Sequence, residues 1–313
     1  MNVQPSVDLS GGLEQVPVLI ERNSRVVLKT EFQYSPDNIK GPGCTVDPCE
    51  ITLPGCSCHL QSCCTDTCSC FQAHGQAYNS SGTLMDLTAV DSSFCSPVFE
   101  CNVLCSCSDT CSNRVVQRGV RHSLEVFTTD KKGWGVRTLE PILSGTFVCE
   151  YAGEMIGFEE ARSRQLSPRC EKNNYIIAVR EHAGPGSFVE TFVDPSVVGN
   201  VGRFLNHSCL PNLFMMPVRV HSVVPRLALF SRRDIDAQEE LTFDYSGGHS
   251  QQTSGELLSK KAAQDSRTDG LQRKVCYCGA KTCATFLPLD LSILSSPICT
   301  STLLLNGTRG RHW

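Results

Sequence analysis

Apolar and polar positions alternate along this chain in short runs, and long helical periodicity is scarce. Leu124-Glu125-Val126-Phe127 alternates, Lys131-Lys132-Gly133-Trp134-Gly135 breaks the pattern as a turn, and Thr146-Phe147-Val148-Cys149-Glu150-Tyr151 alternates again. Such period-two runs bounded by turn residues predict half-buried strands. Further strands are predicted at Tyr175–Val179 and Thr191–Asp194, joined by a loop around Gly184-Pro185-Gly186. Others follow at Leu213–Val220, Arg226–Phe230 and Glu240–Tyr245. Near the start, Val16-Pro17-Val18-Leu19-Ile20 is apolar and Val26-Val27-Leu28 predicts one more strand. A single short helix is expected over 157–167, with Glu159, Glu160, Arg162 and Arg164 on a solvated face. Many short strands and few helices predict a β-rich α+β fold of small sheets.

Cysteine changes this picture. Of 20 cysteines, 13 fall between Cys44 and Cys111. Apolar residues are sparse there, so another source of folding energy is required. The first twenty residues lack the basic start and apolar run of a secretory signal. A disulfide framework is therefore disfavoured against metal binding, and structural zinc supplies folding energy directly. No run approaches the about 18 apolar residues that span a bilayer, and no membrane partner is expected. At 313 residues the chain can bury a sizeable core. Its net charge of −4 and pI of 6.1 argue against a general or sequence-specific DNA binder. Partly neutralised thiolates would make it more acidic still, which suits a basic partner.

Three motifs carry candidate chemistry. Arg203-Phe204-Leu205-Asn206-His207-Ser208-Cys209-Leu210-Pro211-Asn212 crowds an amide, an imidazole and a thiol into one short stretch. Alone it also reads as a turn with one satisfied histidine and a free cysteine. Glu240-Leu241-Thr242-Phe243-Asp244-Tyr245 ends a strand in aromatic residues, and Cys276-x-Cys278-x4-Cys283 offers three thiolates. Three leave a tetrahedral zinc one ligand short, and Cys209 is the natural fourth.

With Gly133-Trp134-Gly135 between them and a cysteine-rich segment before them, these motifs resemble the SET-domain protein lysine methyltransferases. The resemblance covers roughly residues 56–287. It implies an N-terminal lead-in (1–55), a pre-SET zinc cluster (56–119), a SET domain (120–245), a flexible insertion (246–275), a post-SET segment (276–288) and a tail (289–313). It implies a pseudoknot in which the segment ending at Tyr245 passes the Asn206–Cys209 stretch. Within the family the likeness runs to a branch whose SET region is fused to a transposase; this chain is expected to end without one.

The resemblance further implies a Zn₃Cys₉ cluster held by Cys56, Cys58, Cys63, Cys68, Cys70, Cys101, Cys105, Cys107 and Cys111, with three bridging thiolates. Cys63 is chosen over its neighbour Cys64 by analogy alone. A fourth zinc is expected on Cys209, Cys276, Cys278 and Cys283. S-adenosylmethionine is the implied cofactor, framed by Lys132, Gly133, Trp134, Tyr175, Arg203, Asn206 and His207. Arg203 either approaches the cofactor carboxylate or braces the knot; the sequence leaves both open.

Methyl transfer to an amine is an in-line displacement that needs a neutral lysine, alignment and exclusion of water. Tyr151, Phe243 and Tyr245 are expected to wall the lysine channel, where aromatic faces can hold an ammonium. Tyr245 is the expected catalytic residue, as an orienter more than a base. Phe243 occupies the family's phenylalanine/tyrosine switch, which implies room for more than one methyl. The expected partner is a histone H3 tail or nucleosome, with nuclear, chromatin-associated residence. The transposase-fused branch is associated with the fourth and thirty-sixth residues of H3, the wider pre-SET clade with the ninth. A non-catalytic peptide-binding SET module and a zinc-stapled scaffold are the competing readings.

Overall fold

A computed structural model describes residues 6–21, 32–59, 61–63, 67–87, 97–167, 174–184, 187–246, 274–288 and 293. The expected strand at 26–28, Cys64, Cys95, nearly all of the insertion and almost all of the tail lie outside the described residues.

Three sheets organise the chain. The first contains six strands: β1 (Ser6–Asp8), β2 (Val18–Glu21), β6 (Leu124–Thr129), β7 (Gly133–Thr138), β15 (Glu240–Phe243) and β12 (Asn206–His207), in that spatial order. The second runs β10 (Ile177–Gly184), β11 (Ser187–Gly199), β9 (Gly153–Ile156) and β4 (Ile39–Lys40), with β3 (Gln33–Tyr34) pairing with β11. The third runs β5 (Val98–Phe99), β13 (Leu213–Arg219), β14 (Arg226–Ser231) and β8 (Phe147–Glu150). Among the described residues the two α-helices are short, α1 (Ser69–His74) and α2 (Phe158–Leu166). No helix among the described residues is long and apolar enough to cross a membrane.

Each expected strand of the SET region is present, and the reasons are local. In β15 the alternation turns Leu241 and Phe243 inward and Glu240 and Thr242 to the other face. Leu227 through Ser231 of β14 are all buried, because β13 and β8 flank that strand. Pro217 sits in β13 at a point β5 has not reached, since β5 pairs only with Val218 and Arg219; proline is tolerated where a strand is locally an edge. One core cluster gathers Val18, Ile20, Leu124, Val126, Val136, Val148, Leu227 and Leu241. Burying one such side chain stabilises by about 1.5–3 kcal/mol.

The structure differs from the sequence expectations in three places. Gly133-Trp134-Gly135 opens strand β7 and is not itself the turn. The reversal falls just before it, and Gly133 absorbs it at φ 72°, a conformation a Cβ disfavours. Second, residues 71–100, whose middle is rich in Gly, Ser, Asn and Asp and so reads from sequence as a loop spacer between the two halves of the cysteine cluster, are more than a loop. Tyr78 and Leu84 form a β-bridge and pack with Phe147, Phe214 and Phe230. The Tyr78 hydroxyl donates to Glu100 at 2.9 Å, and Glu100 also accepts from the backbone of Val115 and Val116. Third, α2 is not simply a solvated face. Arg164 turns to the second sheet and pairs with Glu154 at 2.7 Å and the buried Asp194 at 2.8 Å, besides Glu160. Those carboxylates hold its charge more firmly than burial opposes it.

Candidate active site and its sulfur cages

The knot between β12 and β15 builds the site. β15 lies between β7 and β12, and Asn206 and His207 run parallel to Thr242 and Phe243. Asn212 staples the crossing: its amide nitrogen donates to Glu239 and to the Glu240 carbonyl, and its oxygen accepts from Thr242 N–H at 2.8 Å. Ser208 N–H adds a bond to the Phe243 carbonyl.

This crossing brings the three expected channel aromatics together. Ring centroids are 4.9 Å apart for Phe243 and Tyr245 and 5.9 Å for Tyr151 and Phe243. Phe243 and Tyr151 are buried, while Tyr245 is 37% exposed at one edge. The Tyr245 hydroxyl nevertheless points inward and donates to the Leu205 carbonyl at 2.7 Å. Desolvation there, with Tyr175 nearby, raises its pKa well above the ordinary tyrosine range, so it keeps its proton at neutral pH. Tyr151 is raised likewise by burial, and its hydroxyl donates to the Tyr175 carbonyl at 2.5 Å.

His207 joins this cluster to the second sulfur cage. Its Nδ1 accepts from Tyr245 N–H at 3.3 Å, and its Nε2 lies 3.4 Å from Cys209 Sγ. Burial lowers its pKa, although Asp244 pulls the other way. A neutral ring with its proton on Nε2 satisfies both contacts.

The expected cofactor residues share one end of this arrangement. Asn206 donates through Nδ2 to the Trp134 carbonyl at 2.8 Å and to Glu240 Oε1 at 2.9 Å. Lys132 Nζ pairs with Glu240 Oε2 at 2.5 Å. The Arg203 guanidinium lies 4.6 Å from the Tyr175 ring centroid and 4.9 Å from that of Phe32. Its Nε is buried without a hydrogen-bond partner. The ring stacking braces the aromatic wall, and Arg203 Nε is a buried donor with no partner among the described residues, which an anionic group would satisfy. These features fit a zwitterionic, aromatic-bearing cofactor: Asn206, with its nitrogen engaged, presents an oxygen that can accept, Arg203 presents a donor, and the glycines of β7 let the backbone come close.

The expected cysteines gather in two places. Cys56, Cys58, Cys63 and Cys68 group together, as do Cys56, Cys70, Cys101 and Cys105, and Cys56, Cys63, Cys101 and Cys107. Cys111 Sγ accepts from Cys63 N–H at 3.4 Å in the same cluster. Cys56, Cys63 and Cys101 recur between groups, which singles them out as the shared sulfurs. Cys209, Cys276, Cys278 and Cys283 form the second set, with all sulfurs within 4.8 Å. A tetrahedral zinc with bonds of about 2.3 Å holds its sulfurs about 3.8 Å apart. The separations here are 3.7 Å for Cys56–Cys63 and Cys63–Cys101, 3.8 Å for Cys70–Cys105 and 4.0 Å for Cys209–Cys276. These separations fit Zn²⁺ in both sets.

Glu240 and Asn212 escaped the list of candidate site residues. A carboxylate on the outer face of a strand looks like a solvated charge. The available signal was its period-two offset from Leu241 and Phe243, which sets it on the face that Asn206 meets. A separate cavity of about 190 Å³, lined by Glu14, Glu150, Arg118 and Arg226 among others, contains none of the expected site residues.

The knot, the aromatic triad and the paired cysteine cages define a SET-fold protein preceded by a pre-SET segment. A profile of the SET domain matches residues 133–246, and one of the pre-SET motif matches residues 10–114. The rat histone-lysine N-methyltransferase SETMAR is 50% identical over 288 residues, which cover 91% of this chain and 88% of the relative. The crystal structure of the methyltransferase domain of human SETMAR superposes with a TM-score of 0.76 at 48% identity, covering 92% of this chain and 99% of that one. KRYPTONITE, solved with mCHH DNA, an H3(1-15) peptide and SAH, superposes with a TM-score of 0.67 at 30% identity, covering 92% of this chain and 55% of that one. The chain belongs to the SETMAR-like histone-lysine N-methyltransferases of the SET-domain family.

Proposed function

We propose that this protein transfers a methyl group from S-adenosylmethionine to a lysine of a histone H3 tail, at chromatin in the nucleus. The observation that carries the reading is the Tyr245 hydroxyl turned inward to the Leu205 carbonyl, beside Phe243 and Tyr151, with the Tyr245 backbone tied through His207 to the Cys209 cage. The cofactor supplies an electrophilic methyl on a sulfonium, and Lys132, Gly133, Trp134, Tyr175, Arg203, Asn206 and His207 are the residues that would hold it. Tyr151, Phe243 and Tyr245 would exclude water from the lysine channel, so that desolvation favours the neutral amine. Tyr245, holding its proton, orients that amine and removes none from it. The buried Phe243 adds no hydroxyl to the channel, which supports more than one methylation of the same lysine. The reading also assigns three Zn²⁺ to the pre-SET cysteines, bridged by Cys56, Cys63 and Cys101, and one to Cys209, Cys276, Cys278 and Cys283.

For the target we infer the fourth and thirty-sixth residues of H3, on the strength of similarity to SETMAR; the ninth, as in the wider pre-SET clade, is the alternative. The test is to incubate zinc-loaded protein and labelled S-adenosylmethionine with nucleosomes or core histones, beside Tyr245→Phe. Label on H3 that is absent with the variant is expected, and mass spectrometry then names the lysine. Absence of label, with zinc content and cofactor binding intact, would turn the reading toward a non-catalytic peptide-binding module.

A further inference from the structure

We infer that Glu240 is a positioning residue for the amino-acid end of the cofactor, an inference that rests on the methyltransferase reading. Its two carboxylate oxygens have separate partners. Oε1 accepts from Asn206 Nδ2 at 2.9 Å, and Oε2 pairs with Lys132 Nζ at 2.5 Å. Asn206 Nδ2 also donates to the Trp134 carbonyl at 2.8 Å. A primary amide has two N–H donors, and both are therefore engaged. The orientation of the carboxamide is fixed as a result: its oxygen faces away from Glu240 and can only accept. An acceptor held in this way selects a donor, and the α-ammonium of an S-adenosyl amino acid is such a group.

The pair lies against the β7 backbone at Gly135. A Cβ at that position would lie 3.0 Å from Glu240 Oε1, 3.2 Å from Asn206 Nδ2 and 2.9 Å from Thr129 Cγ2. A side chain at the second glycine of the Gly-Trp-Gly stretch would therefore press on the Glu240–Asn206 pair and force it to shift. Glu240 fixes Lys132 from the other side. The lysine's backbone N–H donates to Thr129 Oγ1 at 2.9 Å, so backbone and side chain are both held. Loss of the carboxylate would release the amide to turn over and the ammonium to swing into solvent.

The experiment compares two ligands by calorimetry on zinc-loaded full chain: S-adenosylhomocysteine, and 5′-methylthioadenosine, which keeps the adenosine and thioether but has no amino-acid end. Glu240→Ala and Glu240→Gln are measured beside the unsubstituted protein, with melting temperature and zinc content as controls. Both variants are expected to bind S-adenosylhomocysteine about tenfold more weakly or worse, the scale of one hydrogen bond to a charged group. Affinity for methylthioadenosine, titrated at millimolar concentration, should stay within about twofold. A parallel loss for both ligands would reduce Glu240 to a structural role, and unchanged homocysteine-ligand affinity would remove the role altogether. Failure of the unsubstituted protein to bind S-adenosylhomocysteine would instead overturn the methyltransferase reading on which the inference stands.

Discussion

The two sulfur cages look alike in chemistry and differ in what they join. The pre-SET cage is drawn wholly from residues 56–111, and among its nine cysteines only Cys70 is less than fully buried. Phe71 is its one non-cysteine buried apolar member. The post-SET cage takes three sulfurs from 276–283 and borrows Cys209 from the knot. Three of its four cysteines are partly exposed. Ala284 N–H donates to Cys209 Sγ at 3.4 Å, and His207 touches the same sulfur from the aromatic side. The first cage thus replaces a hydrophobic core, whereas the second is a clasp between the C-terminal segment and the site. One chemistry supports folding in one place and assembly of the site in the other.

Substitutions can break that comparison. Cys101→Ser removes a sulfur shared between groups in the first cage and is expected to have the largest effect. Cooperative melting should disappear, since zinc contributes about 10 kcal/mol or more to folding of such segments; circular dichroism and metal analysis read the loss. Cys283→Ser should instead leave the melting transition in place, release one zinc and lower methyl transfer about 10²-fold through misplacement of the site's wall. Equal loss of fold in both variants would erase the distinction drawn here. Tyr245→Phe sharpens it further, by removing the hydroxyl with both cages intact. Turnover should fall by about 10²-fold with S-adenosylhomocysteine binding unchanged. Phe243→Tyr alters outcome more than rate. A hydroxyl added beside Tyr245 should shift the product distribution toward monomethyl-lysine, read by mass spectrometry.

The smallest effect lies outside both cages. Burial pushes the Glu150 carboxyl up to about 7, against the pull of Arg226 at 3.2 Å. Because its folded pKa is raised, the native state binds the extra proton. Its favourable contribution is complete below the unfolded value near 4.5 and is lost as pH rises through 7. Zinc thiolates respond in the opposite direction, losing metal as pH falls. Between pH 5.5 and 7.5, roughly the window of this titration, with zinc in excess, Glu150→Gln should gain in melting temperature relative to the unsubstituted protein. A constant offset across that window would contradict it.

Much of this was legible in the residues. Counting ligands pointed to Cys209, whose sulfur the structure sets within 4.8 Å of those of Cys276, Cys278 and Cys283, and alternation found the strands of the SET region. Periodicity shows which face of a strand is buried but not what covers it. Nothing in Val16–Ile20 indicates that its partner is Leu124–Val126. Arg164 read as a solvent charge and Glu240 carried no assigned role, because their partners, Asp194 and Asn206, come from distant segments. Tyr78 was hidden in a polar spacer, although its hydroxyl and ring serve different neighbours, Glu100 and the aromatic cluster around Phe230.

The parallel pairing of β2 with β6, Val18 opposite Leu124, closes the first sheet around the entire cysteine-rich segment. Joining chain ends across a loop of roughly a hundred residues costs about 4 kcal/mol in entropy if the loop is slack. Zinc on the proposed pre-SET ligands would take up that slack. The cage and the β2–β6 pairing would then be thermodynamic partners: stripping the metal should also loosen Val18–Ile20, and amide exchange at those residues would report on zinc bound elsewhere in the molecule.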